Sequence, residues 1–208
     1  MKWVVLLNYG FLDIEMTCDG KIEDGKFIDD GRMKHSKREV ISVGFVVCND
    51  KYNIINTYFS FVKPVRNAVI TDYCSQLTGI TQTDVDHGKK CNNAFRDIMQ
   101  MCSRYAIDYI FTFGDADRSG IINTARWNKK QKENVFNLFA VSKRIVDVKP
   151  AILKMLNFGN KKMNPGLSKI TEMMDIKNDE RHNALNDAIM LCEVCKKLKI
   201  QVNQMIRV

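Results

Sequence analysis

Proline is scarce, with 3 in 208 residues, and neither a low-complexity tract nor an internal repeat interrupts the chain. That composition argues against long linkers and extended disorder. No window reaches the roughly 18 apolar residues that a membrane-spanning helix needs, so no membrane span is expected. A disulfide framework is missing as well. The 7 cysteines, at 18, 48, 74, 91, 102, 192 and 195, are odd in number and irregularly spaced. This fits a reducing compartment, and the expected location is the cytoplasm. Cys192-x-x-Cys195 lacks the second pair that a structural zinc site would want. Three residues apart in a helical pattern, the two thiols read as small buried hydrophobes. Met1 to Leu7 resembles the start of a signal peptide, but the apolar run is short and no small-residue cleavage site follows. It reads as a strand or the lead-in to one.

What is present is ordinary globular material, 45% hydrophobic and 27% charged. The length suggests one domain over 1–208 and is ample for a core. The net charge of +8 points to a polyanionic partner, either nucleic acid or an acidic membrane surface.

Residues 3–16 form a first strand region, with a break or bulge expected at Gly10. The polar, glycine-containing stretch 17–38 reads as a mobile loop. Val40 to Cys48 is apolar nearly throughout, as suits a central strand covered on both faces. Residues 54–63 close an antiparallel meander. Helical patterns follow at 70–78, ending at Gly79, and in a short turn capped by Thr81 with Asp84 three residues on. Helices are also expected at 92–104, from Gly114 to about Trp127, and from Pro150 to Gly159. Asn164-Pro165 should start another, and 184–198 is the last. Strands at 109–113 and 143–148 complete the sheet. The expected fold is α/β, a central mixed five-stranded sheet flanked by helices on both faces. The basic run Lys129-Lys130-Gln131-Lys132 reads as a solvated surface corner.

The chemistry gathers at acids. Asp13 and Glu15 are two apart in an apolar run, so on a strand they share a face, while Leu12, Ile14 and Met16 take the other. Two adjacent carboxylates repel and resist desolvation, which calls for a hard divalent cation. Asp117 follows the strand ending at Phe113, and Asp187 lies in the first turns of the last helix. Asp187 alone could answer to the helix dipole, and Asp115 could be a simple N-cap. His182 precedes Asp187 by five residues, about 140° around a continuous helix. The two can share a site only if the helix begins between them, and Asn183 is a competent N-cap. A loop histidine there suits a general base near neutral pH.

Asp13-Ile14-Glu15, Gly114-Asp115-Ala116-Asp117 and His182-Asn183-Ala184-Leu185-Asn186-Asp187 resemble the three motifs of the DEDDh exonucleases, whose fold is ribonuclease H-like. Leu77-Thr78-Gly79-Ile80-Thr81 is similar to the family's segment beside the substrate's 3′ end, and Gly166-Leu167-Ser168 to its run-up to the third motif. The resemblance covers about residues 8–200. With Asp147-Val148-Lys149, it looks closest to exonucleases of the enhanced-RNA-interference and histone-mRNA-end type and to bacterial sporulation-inhibitor-like relatives. It implies 3′-5′ hydrolysis of single-stranded nucleic acid, RNA in preference, to nucleoside 5′-monophosphates, with two divalent cations, Mg²⁺ or Mn²⁺. By the same resemblance Asp13 would bridge the ions, Glu15 and Asp187 would complete one site, Asp117 would serve the other, and His182 would be the base. Met16, Thr17, Leu77 and Thr78 would hold the terminal nucleotide.

Three other readings stand beside this one. A proofreading or repair exonuclease directed at DNA would share the chemistry. A catalytically silent module would bind nucleic acid or protein only. An unrelated basic interaction protein would show no tight response to divalent ions.

Overall fold

The computed structural model describes residues 8–158, 164–177 and 183–200. Strand β1 (Tyr9–Met16) is followed by a small hairpin of β2 (Lys21–Glu23) and β3 (Lys26–Ile28), then by a 3-10 turn at His35–Lys37. Strands β4 (Val40–Cys48) and β5 (Ile54–Lys63) complete the antiparallel meander with β1. Helices α1 (Asp72–Thr78) and α2 (Gln82–Asp86) lead through β6 (Lys89–Lys90) into α3 (Cys91–Arg104). Next come β7 (Ile110–Thr112), α4 (Ala116–Lys130), α5 (Phe136–Ser142) and β8 (Ile145–Asp147). Helices α6 (Lys149–Met155), α7 (Leu167–Met173) and α8 (Ala184–Leu198) follow.

The main sheet has the order β6-β5-β4-β1-β7-β8. β4 runs antiparallel to both β1 and β5, while β7 is parallel to β1 and β8 to β7. β4 is buried at every position, because helices cover both of its faces. One core joins Leu12, Ile14, Val43 and Phe45 to Phe95 and Ile98 of α3, Ile121 and Ala125 of α4, and Leu138 and Val141 of α5. The opposite face joins Phe11, Val46 and Phe111 to Ile152, Ile170 and the Ala188, Leu191, Cys192 and Cys195 stripe of α8. Cys192 and Cys195 are therefore core residues, and all 7 cysteines are free and buried. Among the described residues no helix is long and apolar enough to cross a membrane.

The structure corrects several expectations. Among the described residues the sheet has six strands rather than five, since Lys89 and Lys90 pair with Val62 and Lys63 at its edge. Gly10 neither breaks nor bulges β1 but pairs with Val47 in a continuous ladder, and the irregularity falls between Glu15 and Met16. The stretch 17–38 holds the β2–β3 hairpin, turned through Asp24 and Gly25 at positive φ. α7 begins at Leu167 with Gly166 as its N-cap, two residues beyond the expected Asn164-Pro165 start. Helix α5 has no counterpart among the sequence expectations. The capping box of Thr81 and Asp84 and the left-handed Gly79 after α1, with φ of 72°, are both present.

Candidate active site

The site begins with the pleat of β1. Alternation sends Leu12 and Ile14 into the α3–α5 core and leaves Asp13 and Glu15 on the face that α8 covers. Across the ladder, Asp13 pairs with Gly44 and Glu15 with Ser42. Gly44 has no side chain to hold α8 away, and a Cβ there would overlap the main chain of Ala184 and Leu185. The start of α8 thus lies directly on β4. Asn183 caps it by accepting the N–H groups of Leu185 and Asn186 at 3.1 and 3.3 Å. Asp187 falls in the first turn, and one carboxylate oxygen each from Asp13, Glu15 and Asp187 lie within 4.8 Å of one another.

Asp117 arrives from the other flank. β7 pairs with β1 only through Gly10 and Phe11, which leaves the Ile14 N–H beyond the ladder. The Asp117 Oδ1 accepts that N–H at 3.2 Å from the first turn of α4. Gly114, at φ 99°, makes the turn between β7 and α4. Asp147 at the end of β8 fixes it, since its Oδ1 accepts the N–H groups of Gly114 at 2.7 Å and Lys149 at 2.8 Å. Asp147 also adds its charge to the field at Asp117. Sequence reasoning treated Asp147 only as part of a resemblance; its place at a strand end, just before a helix, was the available signal. Asp115 occupies the N-cap position of α4 but makes no side-chain cap bond, its carboxylate accepting from the Ser119 hydroxyl instead.

Burial and mutual repulsion act together on these acids. Asp13 is held well above the usual carboxylate range, first by burial and then by Asp117, Glu15 and Asp187. Burial, then the charges of Asp187 and Asp117, push Glu15 up to about 8. Burial raises Asp117 to about 7 against the lowering effect of the Ile14 N–H, and raises Asp187 to about 6. Among the described residues no Lys or Arg forms a salt bridge with any of the four. Crowded oxygen donors without an organic counter-charge are what a hard divalent cation selects, so the residues fit a metal.

The remaining expected residues are placed unevenly. His182 lies outside the described residues. Met16 turns its side chain into the α4 contact against Gly120, on the face away from the carboxylates. Thr17 is buried, and its hydroxyl accepts the Glu39 N–H and the Asn67 side-chain amide, both at 2.9 Å. The Thr78 hydroxyl donates to the Cys74 carbonyl at 2.8 Å, so it serves α1. Leu77 is partly exposed beside the Cys18–Ile41–Ile80 cluster. Ser42 was missed by sequence reasoning: it is opposite Glu15, and its buried hydroxyl has no hydrogen-bond partner among the described residues. With Phe59, Phe61, Thr78, Ile80 and Asn183 it lines a pocket of about 140 Å³. Nothing local marks Ser42, because the strand register alone puts it there.

Known proteins resemble this chain in sequence and in fold. The Xenopus laevis protein named ERI1 exoribonuclease 2 is 33% identical over 93 residues, 43% of this chain and 12% of that protein. The Mus musculus protein of the same name is 33% identical over 78 residues, 37% of this chain and 10% of that protein. The matches thus span a small part of these relatives' length. A 3′-exonuclease in a structure of 3′-end-specific recognition of the histone mRNA stem-loop superposes with a TM-score of 0.73 at 18% identity, over 93% of this chain and 64% of that one. The nuclease domain of 3′hExo, a DEDDh family member bound to rAMP, gives 0.71 at 18% identity, over 94% of this chain and 93% of that one. The fold is the ribonuclease H-like fold of these exonucleases. The family model described as Exonuclease (RNase_T) matches residues 11–195, and this chain therefore belongs to the exonuclease family.

Proposed function

We propose that this member of the exonuclease family removes nucleotides one at a time from the 3′ end of single-stranded nucleic acid, RNA in preference. The observation that carries this reading is the approach of Asp13, Glu15 and Asp187 to within 4.8 Å, from one strand and the start of a helix. The preference for RNA is supported by the exoribonuclease relatives. The match to the exonuclease family model weighs against a silent module.

Asp13, Glu15, Asp117 and Asp187 would hold two divalent cations, Mg²⁺ or Mn²⁺. When bound, such ions lower the pKa of water and stabilise charge on the attacking and leaving oxygens. Asn183 and Gly44 keep Asp187 near Asp13, and Asp147 keeps Asp117 against β1. His182, immediately before the Asn183 cap, accepts the proton of the attacking water. The water oxygen bonds to phosphorus as the bond to the 3′ oxygen breaks. The products are a nucleoside 5′-monophosphate and a strand shortened by one, with a new 3′ hydroxyl. Leu77 offers the partly exposed apolar surface for the terminal base.

The test uses 5′-labelled RNA and DNA oligomers of one sequence, with Mg²⁺, Mn²⁺ or EDTA. A metal-dependent ladder shortening from the 3′ end, lost in Asp13→Ala, is expected. The RNA-to-DNA rate ratio decides the sugar preference. Binding without cleavage in any metal would sink the hydrolytic reading.

A further inference from the structure

Two routes lead from the carboxylates to one cationic platform. Beyond Glu15, the Thr17 hydroxyl bonds the Asn67 side-chain amide. The buried Glu39 carboxylate accepts the backbone N–H groups of Val65, Arg66 and Asn67 at 3.1, 2.8 and 2.7 Å. These bonds pin the segment after β5, and its Arg66 guanidinium lies 3.8 Å from the centre of the Trp127 ring. The second route is α4 itself, which carries Asp117 in its first turn and Lys130 in its last. The Lys130 ammonium lies 4.2 Å from the same ring centre. Trp127 is anchored by its indole N–H, which donates to the Ser36 carbonyl at 3.2 Å.

Beside Trp127 the cleft lining is cationic and holds no acid among the described residues. A cleft of about 500 Å³ is lined by Ser36, Asn123, Arg126, Trp127, Lys129 and Lys130. Among the described residues, no salt bridge involves Arg66, Arg126, Lys129 or Lys130. A solvated corner would leave long side chains to water. Here two cations from separate segments rest on one indole, held by cation–π attraction. Groups ordered in advance lose less entropy when they bind an anion.

We propose that the Arg66–Trp127–Lys130 platform binds the phosphate backbone of the substrate strand on the 5′ side of the nucleotide being removed. The inference rests on the exonuclease reading and adds to it a second contact remote from the chemistry. Thirteen residues of α4 separate Asp117 from Lys130, about 20 Å at the helical rise. That distance is about six nucleotides of a stacked strand at roughly 3.4 Å each. The platform therefore favours strands longer than this and releases shorter ones. The net charge of +8 has the sign a phosphate chain requires.

The experiment is fluorescence anisotropy with a 5′-labelled 12-nucleotide single strand in EDTA, across a salt series. Arg66→Gln with Lys130→Gln is compared with Lys51→Gln plus Lys154→Gln. The control removes the same charge from exposed positions on the β4–β5 turn and α6. The platform variant should bind about tenfold more weakly, with a salt slope reduced by about 1.4 for two lost phosphate contacts. The control should bind within about twofold of wild type. Equal losses in both double variants, or a loss in neither, would overturn the proposal. Unchanged strand binding with lost binding to phosphatidylserine vesicles would also overturn it, assigning the patch to a membrane surface. Affinity is read without turnover, so a wild-type protein that cleaves nothing would sink the exonuclease reading while leaving this measurement standing.

Discussion

The Cα of Gly44 lies against the main chain of Ala184, so closely that any Cβ would overlap the Ala184 carbonyl and the Leu185 nitrogen. Gly44 is also the β4 partner of Asp13. The absence of a side chain on one strand therefore governs how near Asp187 comes to the carboxylates of another.

Gly44→Ala should lift the start of α8. Overpacking of this kind costs about 1–3 kcal/mol, and a displacement near 1 Å costs about 100-fold in rate. Thermal melts together with turnover on an RNA oligomer would check this. A variant that melts and turns over like wild type would remove Gly44 from the account.

Asp13→Asn should stabilise the metal-free protein while abolishing turnover. The Asp13 carboxyl sits well above its ordinary range because burial and three neighbouring acids oppose its charge. A neutral amide relieves that repulsion but is a poorer ligand. Melting in EDTA should occur several degrees higher than for wild type, and Mn²⁺ titration calorimetry should show weakened binding.

The pH dependence of stability should change sign with metal. Glu15, Asp117 and Asp187 are raised to about 8, 7 and 6 from ordinary values near 4. A raised carboxyl gives stability that is complete below its unfolded pKa and is lost as pH climbs through its folded one. Metal-free protein should therefore lose melting temperature from about pH 4 to 8. Metal binding requires the charged forms and releases protons, so saturating Mg²⁺ should protect increasingly over the same range. A melting temperature in EDTA that rises with pH would contradict the electrostatics.

His182→Ala should lower turnover by about 10²–10⁴ and leave Mn²⁺ affinity intact. The split between rate and metal binding separates a base from a ligand. Loss of both would make His182 a ligand or a structural residue.

Asp147→Asn should loosen the Gly114 turn without touching a ligand directly. Its Oδ1 holds two backbone N–H groups. Loss of an outer partner of this type costs roughly 10–100-fold in metal affinity or activity. Excess Mn²⁺ should recover part of the rate, whereas a purely global loss of stability would not respond.

Periodicity carried most of the secondary structure. The second and third strands and the last helix occupy the expected 40–48, 54–63 and 184–198. Apolar runs and caps are local signals, and tertiary packing had no reason to override them there. The β2–β3 hairpin was hidden because each strand is three residues long, too short for an alternation to register, and exposed at every position. In α5 the apolar residues Leu138 and Val141 sit in a seven-residue segment, too short for the pattern to repeat. Proline misled at Pro165, since Gly166 supplies the extended N-cap geometry instead.

The sequence by itself determined the acids that share a face, because a strand has a period of two whatever surrounds it, and it placed a helix start between His182 and Asp187, because Asn183 is a capping residue. Only the tertiary structure decided which positions reach the site. Ser42 enters through antiparallel register and Asp147 through its bonds to the β7–α4 turn, while a loop that a buried Glu39 pins brings Arg66 onto Trp127 away from the carboxylates. Thr17 and Met16 leave it for the same reason: hydrogen-bond and packing partners about 50 to 100 residues away claim their side chains. Local periodicity fixes the face on which a side chain emerges, but its neighbour across space depends on how distant segments pack.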